Sequence, residues 1–82
     1  MSKYRKDVTS LYNSLKLYPP YQTENNESEG IVYQRWSTND ELETLIKRIT
    51  AVDTDGVITY TQTFALDLWE NRETADYIYI LQ

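Results

Sequence analysis

Val57-Ile58-Thr59-Tyr60-Thr61-Gln62-Thr63-Phe64-Ala65-Leu66-Asp67-Leu68 alternates with period two over more than a usual strand length. Ile58, Tyr60, Phe64, Leu66 and Leu68 fall on one face, with Gln62 the only polar break. Thr59, Thr61, Thr63 and Asp67 fall on the other. β-Branched and aromatic residues suit a pleated surface, and threonine tolerates water, so the stretch predicts a half-buried strand. It is expected to be the central strand of the sheet. Phe64 and Leu66 are expected in the core, and Thr61 on the open face.

Immediately upstream, Asp53-Thr54-Asp55-Gly56 marks a turn. Its spacing also resembles the middle of an EF-hand calcium loop. That match places Ala51 and Gln62 where the first and last acidic ligands belong, so a plain turn is the better reading and no metal ligand is assigned. Ser37-Thr38-Asn39-Asp40-Glu41 reads as a helix cap. Leu42, Leu45, Ile46, Ile49 and Val52 follow at helical spacing, which predicts a helix over about 39–50. A rival reading makes 43–52 a strand, because Ile46 to Val52 is rich in β-formers, and turns 53–56 into a tight hairpin.

Further upstream, Ile31-Val32-Tyr33-Gln34-Arg35-Trp36 is a short strand by composition. Residues 22–30 contain no apolar side chain and read as a polar, mobile loop. Tyr18-Pro19-Pro20-Tyr21 is a stiff, extended connector. Tyr4, Val8, Leu11, Tyr12 and Leu15 form one stripe of a helix over 3–17, which Pro19 stops. Downstream, 69–73 is a turn. Thr74 to Leu81 reads as a strand, with a helix as the alternative. A two-stranded sheet is marginal, which favours the strand. The expected fold class is α+β: one domain over 1–82 with a small, mostly antiparallel sheet of three or four strands. An N-terminal helix and a second helix are expected on one face.

A chain of 82 residues buries about 60–65% of its unfolded surface, enough for one modest core. It has no Cys and no His, which removes disulfides, thiolate metal sites and the commonest general base. No serine has a base to activate it, and two glycines cannot form a phosphate-binding loop. The reading is therefore non-enzymatic, with no catalytic residue, no metal and no cofactor. No apolar run suggests a signal peptide or a membrane span, and the expected location is the cytoplasm. The net charge is −5: residues 1–18 carry +3, and the rest, with four basic and twelve acidic residues, carries −8. An acidic body disfavours nucleic acid and suits a basic protein partner.

The chain holds eight Tyr, two Trp and one Phe. Tyr and Trp are favoured contact residues because they combine area with one polar handle. Trp36, Trp69 and Tyr21 lie beside acidic segments, so they are the candidate anchors, with Glu70 and Glu73 as steering charges. A short, acidic, Tyr- and Asn-rich chain without Cys or His also resembles many small accessory proteins encoded by tailed bacteriophages. That resemblance is one of style across the chain, without a motif, so it assigns no residue. It implies an inhibitor of a host enzyme or defence system acting in the host cytoplasm, or else a minor virion or assembly component that forms homo-oligomers. A small-ligand or nucleotide-binding module that uses the aromatic rings is a third class.

Overall fold

The computed structural model describes residues 2–80. Helix α1 (Ser2–Leu15) precedes four strands: β1 (Gln22–Asn26), β2 (Ile31–Arg35), β3 (Thr44–Thr54) and β4 (Val57–Asp67). Short 3-10 turns lie at Glu27–Glu29 and Trp69–Asn71. The strands form one antiparallel meander in the order β1-β2-β3-β4. This is the expected α+β class, with one helix.

β4 extends over the opening stretch but is not central; β3 lies inside it. Among the described residues, the outer edge of β4 meets only Ile78, which exchanges two backbone hydrogen bonds with Phe64, at 2.9 and 2.8 Å. The expected strand over 74–81 is thus reduced to a single bridge, and Leu81 lies outside the described residues.

The second helix is replaced by β3, so the hairpin reading holds. Leu45 and Ile46 are both fully buried, on opposite faces of a sheet that is covered on both sides. Adjacent buried residues of that kind imitate a helical stripe. Leu42, the first residue of the imagined stripe, is exposed. The capping signature instead stabilises tight turns: the Asn39 N–H donates to Ser37 Oγ, and the Glu41 N–H donates to Asn39 Oδ1. The hairpin loop is Asp55-Gly56, with φ of 54° and 85°. Two left-handed residues define the turn that matches strand twist, and the Gly56 N–H donates to Asp53 Oδ1.

Residues 22–30 are also corrected. Gln22 to Asn26 pairs in register with Arg35 to Ile31 as an edge strand. A strand at the rim carries little apolar alternation, so composition alone reads it as loop.

Each face of the sheet has its own cluster. On one, α1 lays Val8, Leu11, Tyr12 and Leu15 against Leu45, Phe64 and Leu66, joined by Trp36, Ile78 and Ile80. Tyr4, predicted in the same stripe, lies outside the described side chains. The Tyr12 and Phe64 rings stand 4.5 Å apart. On the other face, Tyr33, Ile46 and Trp69 pack with Ile31 and Tyr77. Residues 69–77 cross this second face, and Arg72 reaches Glu24 on β1 before the chain returns to β4 at Ile78.

Covering stops partway along the sheet. Val52, Val57, Ile58 and Tyr60 are exposed, so the outer parts of β3 and β4 form a bare arm. Ile58 and Tyr60 share a face with Phe64 as predicted, yet both are more than half exposed. A helix of 14 residues is about 21 Å long, whereas a strand of eleven spans about 37 Å. Conversely, Thr63, predicted on the open face, is buried beneath the second cluster.

Candidate protein-contact surface

The end of the sheet opposite the hairpin turn gathers the 16–21 connector, the 36–43 loop and the turn after β4. Arg35 ties them together. It is the last residue of β2 and is 6% exposed. Its guanidinium donates to Asp40 Oδ1 and, through Nε, to Gln22 Oε1 at 2.8 Å. The guanidinium carbon lies 5.0 Å from the centroid of the Trp69 ring and 5.7 Å from that of Tyr21. Both are cation–π distances. A buried charge is tolerable only when paired and hydrogen-bonded, and Arg35 is both.

Two further bonds fix the connector. The Tyr21 N–H donates to the Arg35 carbonyl at 2.7 Å, and the Trp36 indole N–H donates to the Tyr18 carbonyl at 3.0 Å. With its backbone held this way, the connector turns its apolar side chains outward. Leu17 is 84% exposed, Tyr18 64% and Tyr21 61%; Leu42, on the neighbouring loop, is 61% exposed. Asp40, Glu41 and Glu43 are exposed on that same loop.

The predicted anchors separate into different environments. Tyr21 is exposed on this surface. Trp36 is half-buried and packs on the helix side of the sheet. Trp69 is 8% exposed and belongs to the second cluster, where Arg72 also lies 4.8 Å from its ring. Glu70 and Glu73 are exposed on the turn that follows Trp69. Arg35 draws Tyr21 and Trp69 together, while Trp36 faces the other side. Sequence reasoning missed Arg35, Leu17 and Leu42. An arginine closing a strand that opens Ile31-Val32-Tyr33 was the available signal for the first; an exposed leucine carries none.

The second face holds the other ionic contacts. Arg72 donates to both carboxylate oxygens of Glu24, at 2.9 and 2.7 Å. This bidentate hydrogen bond holds the Glu24 carboxyl below its ordinary value of 4.5. Arg48 lies 4.1 Å from the Tyr77 ring, and the Tyr77 hydroxyl donates to the Arg72 carbonyl at 2.7 Å. Burial pushes the Tyr77 phenol well up, and that of Tyr33 up as well. Among the described residues, no three His, Cys, Asp or Glu side chains gather to hold a metal, and no helix is long and apolar enough to cross a membrane. Asp53 and Asp55 belong to the hairpin turn. Comparisons with family models, curated proteins and solved structures yield no match.

Proposed function

We propose that this chain is a non-enzymatic protein-binding module whose contact surface is the end built around Arg35. The observation that carries the reading is the exposure of Leu17, Tyr18, Tyr21 and Leu42 on loops that also carry Asp40, Glu41 and Glu43. Apolar and aromatic side chains within a polar rim are the anatomy of an interface. The acids and the net charge of −5 suit a basic partner. The rings supply residence and the charges speed encounter. A phage-type inhibitor of a host enzyme would use such a surface against a basic groove.

The test is affinity capture from a host lysate, followed by binding kinetics of the captured pair. Leu17→Ser with Tyr18→Ala is expected to weaken binding at least about tenfold with an unchanged melting temperature, because neither side chain is in the core. Raising salt from about 50 to about 500 mM is expected to slow association far more than dissociation. A partner indifferent to both changes would sink this reading.

A further inference from the structure

We infer that the free edge of β4 on the arm pairs with the same edge of a second copy, joining two meanders into one antiparallel sheet. Phe64 turns its N–H and C=O outward to Ile78. By the alternation of an antiparallel ladder, Ile58, Tyr60 and Gln62 turn theirs outward too. Among the described residues, no strand pairs with this edge beyond the Ile78 bridge. Folded proteins usually blunt such an edge with charge, proline, a bulge or brevity. β4 has eleven residues in unbroken register with β3. From Val57 through Leu66 it carries no proline and no charge, in a chain with eight basic and thirteen acidic residues.

Electrostatics and register select a second copy as the occupant. Two acidic chains repel over most of their surfaces, and this edge is a charge-free exception. A two-fold axis at Thr59 sets Thr59 opposite the second copy's Thr59. Ile58 then lies opposite the second copy's Tyr60, and Val57 opposite the second copy's Thr61. Aromatic with β-branched and Thr with Thr are favoured cross-strand pairs. The Ile58 and Tyr60 pairs fall in the hydrogen-bonded phase, giving four new backbone bonds. In this register Gly56 lies opposite the second copy's Gln62, short of the position that Ile78 occupies. Val57, Ile58 and Tyr60 are each more than half exposed, so the seam covers apolar surface that the monomer leaves wet. A seam of about five residues is roughly 17 Å long. One strand seam of that length covers much less than the about 1,600 Å² of a standard interface, so the dimer is reversible and concentration-dependent. The proposal is independent of the end surface around Arg35.

Sedimentation velocity from about 5 to about 500 μM is expected to show monomer giving way to dimer. Raising salt should strengthen the dimer by screening the repulsion between copies, the opposite of its effect on a basic partner. Thr59→Lys and Thr59→Asp are each expected to be monomeric alone and to dimerise when mixed, because the axis sets the two substitutions face to face. In the unmodified chain, amide exchange at Ile58 and Tyr60 should slow as concentration rises, which needs no variant. A chain monomeric to the highest concentration would leave the edge to a foreign strand and overturn self-pairing. A dimer that Thr59→Lys leaves intact, or variants whose mixture stays monomeric, would overturn it equally.

Discussion

Arg35 and Asp40 form an unequal pair. The arginine side chain is 8% exposed and the aspartate side chain 71%. Removing the aspartate strands a buried guanidinium, whereas removing the arginine leaves an acid that water already solvates. Asp40→Asn is therefore expected to destabilise more than Arg35→Met, whose linear apolar chain can stay beneath Trp69. Urea denaturation of the two variants decides it, and the reverse order would be wrong for this geometry. Glu24 gives a second residue-scale prediction. Its folded pKa is depressed, so its contribution is present above the ordinary value of 4.5 and is lost as pH falls through the folded value. Its side chain is 37% exposed, so solvent screens the pair and the effect is modest. The stability difference between the native chain and Glu24→Gln should be flat near neutrality and shrink below pH 4.5. Tyr77 works in the other direction. Its raised phenol favours the neutral form, so stability falls as pH rises above the ordinary value of 10.0, and the fall should be smaller in Tyr77→Phe.

At the scale of elements, the sequence revealed sides better than covers. The period of Val57 to Leu68 assigns Ile58, Tyr60 and Phe64 to one face correctly, but only Phe64 lies beneath α1. Phe64→Ala is expected to cost about 3–5 kcal/mol, read as a lowered melting temperature. Tyr60→Ala should cost far less at monomer concentrations, though the two share one face. α1 was legible because its stripe meets a single surface. β3 was not, because burial on both faces removes the alternation that marks a strand. β1 was hidden by its polar edge position. Of the candidate surface, Tyr21 was visible as an aromatic beside prolines. The role of Arg35 depends on contacts with Gln22, Asp40 and Trp69 that no local pattern encodes. The Asp55-Gly56 turn was legible in its chemistry. Gly56→Ala forces a Cβ into the left-handed region and is expected to lower stability by about 1 kcal/mol.

Across the whole molecule, order should be graded along the long axis of 38 Å. The end that carries α1 and residues 69–78 is covered on both faces of the sheet, while the arm is bare on both. Local opening is cheapest where few apolar contacts are lost. In dilute solution, the amides of 51–60 that are hydrogen-bonded between β3 and β4 should therefore exchange faster than the hydrogen-bonded amides of 44–50 and 63–65, as proton exchange followed by NMR would show. Uniform protection along the hairpin would contradict the grading.

The crossing of the second face by residues 69–77 bears on the moment at which the fold completes during translation. A meander assembles from neighbours in sequence, so β1 to β4 can pair as they leave the ribosome. Trp69, Arg72 and Tyr77, which cover Arg35, Glu24, Tyr33 and Arg48, are synthesised after all four strands. Until they emerge, the nascent sheet has one face dressed by α1 and the other open to whatever lies near the exit tunnel. The chain is thus most vulnerable to chaperones and proteases after β4 has emerged and before residues 69–77 follow it, and a pause at that point would hold it in that half-clad state.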